Sequence, residues 1–193
     1  MSAALAAFPD RGPAAFDPTL PAAAREQGLL QSLPVHLRQA LDGGAVRRRS
    51  RFSDNGFDGL LEEWTPPALV TPALAAAAGA ALEGLRRGPL APAATDRLLA
   101  RILALLSHYP AKGLSPEVEQ MVALDWAEDL GEFPAWAVDH AARVWRRTRK
   151  WRPSIAEMRD LCQQACAGER AIAQRLAQLA AQNSAPVDKV RAL

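Results

Sequence analysis

Tyrosine occurs once in this chain, cysteine twice and histidine three times. The soft metal ligands are therefore limited to His36, His108, His140, Cys162 and Cys166. Cys162 and Cys166 lie four apart in a segment that reads as helix, a spacing that lacks the tight turn of a zinc knuckle and would strain a disulfide. Buried free thiols in a reducing compartment are expected, with no metal and no cofactor. A Gly-rich phosphate loop and a nucleophile elbow are both missing from the sequence. His140 has Asp139 beside it, but adjacent residues on a helix point in different directions. The acids fall mostly on faces that read as exposed or near helix starts. These absences predict a non-enzyme with no small-molecule substrate.

An excess of one charge is missing as well. The formal net charge is +2 over 193 residues, too little for a global field that would attract nucleic acid. Such a role has to come from local clustering. The longest nearly uncharged stretch, "TPPALVTPALAAAAGAAL", is alanine-rich and interrupted by prolines, which makes a poor membrane span. The opening "MSAALAAFPDRGP" has no basic region ahead of a long apolar core, so it does not read as a signal peptide. A cytoplasmic protein with no membrane association is expected.

What is present divides into unlike halves. Residues 1–21 carry four prolines among alanines and predict a mobile arm. Leu29, Leu30, Leu33, Leu37 and Leu41 repeat at helical spacing and suggest a short helix over about 22–41, ended by Gly43-Gly44. In "AVRRRSRFSDNGFDGLLEEW" the cluster Arg47, Arg48, Arg49 and Arg51 precedes an Asn-Gly turn signal, and the piece reads as a loop or a disordered recognition segment. The run 68–86 permits helix but offers little packing volume. Residues 1–90 are thus expected to be a poorly ordered or partly helical extension.

From Thr95 onward the pattern is strongly helical. "TDRLLARILALLSHYP" is apolar around most of a helix, as a buried helix should be. "SPEVEQMVALDWAEDL" opens with Ser115 and Pro116 in cap positions, and Val118, Val122, Trp126 and Leu130 form its apolar face. "PAWAVDHAARVWRRTRK" places Ala137, Ala141, Val144, Trp145 and Thr148 on one side. Ser154 and Glu157 form a capping box that starts a last helix running from Ile155 to about Gln182. The expected fold is all-α: a small bundle of about four helices over 91–182, a flexible Ala/Pro-rich N-terminal extension, and a frayed tail over 183–193.

The densest chemical signal is "RRTRKWRPSIAEMRDL". Arg143, Arg146, Arg147, Arg149, Lys150 and Arg152 fall within ten residues that contain no acid, and Trp145 and Trp151 interleave with them. Cations to meet phosphates and rings to stack on bases are the composition of a nucleic-acid surface. The competing reading is structural. The preceding helix carries Glu117, Glu119, Asp125, Glu128, Asp129 and Glu132, and an acidic helix packed antiparallel to the basic one would neutralise much of the run. Candidate nucleic-acid or partner-binding residues are therefore Arg146, Arg147, Arg149, Lys150, Trp151 and Arg152, with Arg47, Arg48, Arg49 and Arg51 as a second group.

Between about residues 95 and 165 these features also come in a particular order. An apolar helix ends in "SHYP", an acidic helix holding Trp126 closes with "LGEFP", and an alanine-rich helix runs into basic residues before Pro153-Ser154-Ile155-Ala156-Glu157-Met158. This stretch resembles the phage replicative-helicase loader/inhibitor family of small helical domains. Arg152 stands directly before the proline where the family has an aromatic, and Trp151 is one position earlier. Under the resemblance Tyr109, Trp126, Pro153, Ser154, Ile155 and Glu157 are caps and core anchors. It implies a replication accessory protein whose partner is a replicative helicase, contacted through flexible segments outside the bundle, with DNA as a further candidate. The residues alone leave two alternatives: a direct DNA- or RNA-binding module using 143–152, or a helical scaffold or regulator.

Overall fold

A computed structural model describes residues 16–182, except 55, 111, 112 and 114. In chain order the elements are α1 (Ala22–Ser32), α2 (Val35–Asp42), β1 (Ala45–Ser53), β2 (Gly56–Thr65), α3 (Pro72–Arg87), α4 (Thr95–Leu106), α5 (Pro116–Leu130), α6 (Ala135–Thr148), α7 (Ile155–Ala165) and α8 (Ala167–Ala181). Among the described residues, eight helices and a two-stranded antiparallel sheet replace the expected all-α bundle of about four helices. The expected arm over 1–15 and tail over 183–193 lie outside the described residues.

Two hydrophobic cores organise these elements. The first lies within the bundle anticipated from the sequence. Leu98, Ile102 and Leu105 of α4, Trp126 and Leu130 of α5, Val138 and Trp145 of α6, and Met158 and Cys162 of α7 meet there, with Phe133 between α5 and α6. Val118, expected on the α5 core face, is exposed, because that helix buries only Trp126 and Leu130. The second core joins Leu29, Leu37 and Leu41 of the first two helices to Trp64 of β2, Ala78, Leu82 and Leu85 of α3, and Ile172, Leu176 and Leu179 of α8. Within the segment expected to be a poorly ordered or partly helical extension, α1, α2, α3 and Trp64 complete a core whose other wall is α8.

The physical reasons are local. Leu33 sits in extended conformation before Pro34, which divides the anticipated 22–41 helix into α1 and α2. The α3 segment packs despite its small side chains, since alanines let α3 and α8 approach closely: Ala75 and Ala78 are buried, and a Cβ on Gly79 would touch Ala180. Thr71 caps α3 by accepting the Leu74 N–H at 3.2 Å, with Pro72 in the first turn.

The segment 45–65, read as a loop or disordered piece, is a hairpin. Arg48 lies opposite Glu62 and Arg47 opposite Glu63, and Gly56 takes the left-handed φ of +103° that the reversal needs. Both faces of the ribbon are largely exposed, so it lacks the apolar alternation that marks a half-buried strand. Its base is held by Trp64, whose indole N–H donates to the Leu41 carbonyl at 3.2 Å and whose ring lies where a Cβ on Gly44 would be.

The last helix is also divided. Cys166 leaves helical geometry (φ −111°, ψ 19°), and α7 serves the first core while α8 serves the second. Arg25 satisfies polar groups at the break. Its Nη2 donates to the Ala165 carbonyl at 2.6 Å, its Nη1 to the Leu20 carbonyl at 2.9 Å, and its Nε to Glu169 Oε1 at 2.7 Å. The carbonyl freed at the junction is satisfied by a side chain from α1. The same guanidinium lies 4.8 Å above the Trp136 ring, whose indole N–H donates to the Pro89 carbonyl at 2.7 Å.

Candidate functional site

The basic run occupies the elbow between α6 and α7. Helix α6 ends at Thr148, and Arg149 is extended (φ −125°, ψ 144°). Pro153 is buried, and Ser154 starts α7 with both halves of its capping box formed: its hydroxyl accepts the Glu157 N–H at 3.3 Å and its own N–H donates to Glu157 Oε2 at 2.9 Å. Inside the elbow the buried Trp145 donates its indole N–H to the Trp151 carbonyl at 2.9 Å. The two rings meet edge to face at 6.2 Å, and the Arg149 guanidinium lies 5.8 Å from one and 5.5 Å from the other. The turn is thus pinned, and Trp151 stands 54% exposed on its outside.

Arg143, Arg146, Arg147, Arg149, Lys150 and Arg152 are all exposed, and among the described residues none forms an ion pair with an acid. The anticipated neutralisation by the acidic helix does not occur. Helix α5 packs on α4 and α7 instead of along α6. Asp129 and Glu132 turn to the arginines of the last two helices: Arg159 pairs with Asp129 at 3.9 Å and with Glu132 at 2.5 Å, and Arg170 pairs with Glu132 at 2.9 Å. Burial raises the Glu132 carboxyl, but the hydrogen bonds from Arg159 and Arg170 outweigh it and hold the group below its ordinary range. Glu157 is lowered chiefly by the Ser154 backbone and hydroxyl, with Trp151 and Arg149 adding to the effect. On α6, burial first and then the Arg143 and Arg25 charges push His140 below its usual value, so it adds no charge to this surface at neutral pH.

The hairpin arginines are arranged differently. Arg48 pairs with Glu62 at 2.8 Å and Arg49 with Glu63 at 3.8 Å across the strands. Arg47 and Arg51 are exposed on the same strand. This group is seated on the second core through Trp64, whereas the elbow belongs to the first, so the two arginine clusters do not form one continuous site.

Two further surfaces went unread in the sequence. A cleft of about 270 Å³ opens between α4 and α5, lined by Leu103, Tyr109, Glu119, Val122, Trp126 and Arg152 among others. The Tyr109 hydroxyl lies 3.5 Å from the Arg149 carbonyl, so the cleft adjoins the elbow. On α5, Met121 and Leu124 are 64% and 60% exposed, with Glu117 and Glu128 a helical step beyond each. The 118/122/126/130 spacing drew attention to the other face of that helix.

Cys162 and Cys166 are free and buried. Burial, reinforced by the neighbouring Cys166, pushes the Cys162 thiol up to about 12, and burial raises Cys166 as well. Neither supplies a thiolate near neutral pH. Among the described residues no three His, Cys, Asp or Glu side chains converge in a metal-binding group, and no helix is long and apolar enough to cross a membrane. Comparison with family models, with curated proteins and with solved structures returns no match for this chain.

Proposed function

We propose that this is a non-enzymatic nucleic-acid-binding protein that grips the phosphate backbone with Arg146, Arg147, Arg149, Lys150 and Arg152. The observation that carries the reading is that, among the described residues, these exposed cations form no ion pair, while Asp129 and Glu132 pair with Arg159 and Arg170. Exposed cations on a pinned turn release counterions when they meet phosphates, and this makes affinity depend steeply on salt. Labelled DNA titrated with the protein at about 50 and 200 mM salt tests it: for four phosphate contacts, the affinity for a single strand should fall roughly 50-fold between the two. Absence of binding at the lower salt defeats the reading.

A second reading is favoured by a different surface. The exposed Met121 and Leu124, bracketed by Glu117 and Glu128, form an apolar, acid-edged stripe on α5. Together with the resemblance to helicase loader/inhibitor domains, it supports a replication accessory protein that binds a replicative helicase. Binding alone would suffice as a mechanism, because a ligand that prefers one state of the helicase shifts its population. A pull-down should then enrich a hexameric ATPase, and Met121→Glu with Leu124→Glu should lose it while retaining the helical circular dichroism spectrum. Retention of the ATPase by that variant removes the stripe from consideration.

A further inference from the structure

We infer that the elbow and the adjoining cleft together select single-stranded nucleic acid, with bases stacking on Trp151 and entering the cleft beside it. The inference rests on the nucleic-acid reading above and names its ligand. Trp151 is more than half exposed yet fixed at its backbone, since Trp145 holds the Trp151 carbonyl and Ser154 caps the helix that follows. Arg149 lies against its ring, and Lys150 and Arg152 flank it in sequence. A presented ring among exposed cations is a stacking platform, on which any base can lie while its phosphate meets a neighbouring charge.

The cleft extends this platform. Arg152 belongs both to the elbow and to the cleft lining, and Tyr109, also in that lining, reaches the Arg149 carbonyl. Its volume of about 270 Å³ lies just below the range of pockets that hold drug-sized ligands, a scale suited to one planar base. Leu103, Val122 and Trp126 supply apolar contact along it. Duplex DNA keeps its base faces stacked inside and offers only groove edges, so neither the ring nor the cleft can engage it. A single strand exposes both faces of every base.

The test uses three labelled probes of roughly 16 nucleotides, the upper end of common single-strand site sizes: oligo-dT, oligo-rU and a DNA duplex. Each is titrated with the full chain and with Trp151→Ala and Trp151→Phe. At least one single strand should bind more tightly than the duplex. Trp151→Ala should weaken single-strand binding on the order of tenfold to a hundredfold and leave the duplex unchanged, and Trp151→Phe, which keeps a ring, should restore most of the loss. A duplex bound as tightly as both single strands overturns the inference. So does an alanine variant that weakens all three probes equally, in which case the backbone reading survives without the stacking. If no probe binds at low salt, the nucleic-acid reading itself has failed.

Discussion

Reversing two charges at the elbow, Arg147→Glu with Lys150→Glu, should abolish nucleic-acid binding and leave the fold intact. Each reversal removes one cation and adds one anion, so the local charge falls by four. Two lost phosphate contacts should lower the slope of log affinity against log salt by about 1.4 for a single strand or 1.8 for a duplex. At about 50 mM salt the affinity should drop on the order of a hundredfold or more, with the added repulsion deepening the loss. Neither residue is buried, and neither forms an ion pair among the described residues, so the structural cost is small. The exception is Arg147, in the last turn of α6, where a cation suits the helix dipole and a glutamate forfeits roughly 0.3–1 kcal/mol. The control is reversal of Arg48, already paired with Glu62 on the hairpin. It should change affinity far less. A double variant that binds with unchanged affinity and salt slope would show that the run is not the grip.

The helices that proved legible share one property: their packing face is large, periodic and marked at its ends. Leu98, Ile102 and Leu105 announce α4, Trp126 and Leu130 announce α5, and Ser154 with Glu157 locates the start of α7 within a residue. Where the second core was missed, the reasons differ from element to element. Helix α3 packs by having almost no side chain, so its Ala75 and Ala78 look like weak core formers although both are buried. The hairpin is stabilised by cross-strand charge pairs and one anchoring indole, and a segment with two solvated faces lacks the period that would reveal strands. At Cys166 the sequence offers only one weak signal of a break, Gly168 two positions on. The Ala165 carbonyl at the break is met by Arg25, 140 positions away in the chain. The site divides in the same manner. The run and Trp151 were visible as composition, but their freedom from acids was not, because the partners of Asp129 and Glu132 depend on how α5 packs. The cleft was invisible, since it arises between two helices and neither shows it alone.

Replacing Arg25 with methionine should cost the protein about 3–5 kcal/mol, well above the zero to one of an exposed ion pair. Arg25 and Glu169 are only 6% and 1% exposed. Without the guanidinium, Glu169 keeps a buried carboxylate with no cation beside it, and its Oε2 already has no hydrogen-bond partner among the described residues. The Ala165 and Leu20 carbonyls lose their donor in the same step. A loss of this size is a large fraction of the 5–15 kcal/mol that typically holds a domain together. Urea unfolding followed by circular dichroism measures it directly. The double variant Arg25→Met with Glu169→Leu should recover much of the loss, because removing both charges leaves neither one stranded. The expected coupling is positive and larger than that of any exposed pair, such as Arg48 with Glu62. A single variant within about 1 kcal/mol of the parent would mean that the pair contributes no more than a surface contact. The result bears on the whole architecture. Arg25 comes from α1 in the second core, Ala165 ends α7 in the first, and Glu169 lies in the first turn of α8, so one guanidinium holds the junction at which the two cores meet.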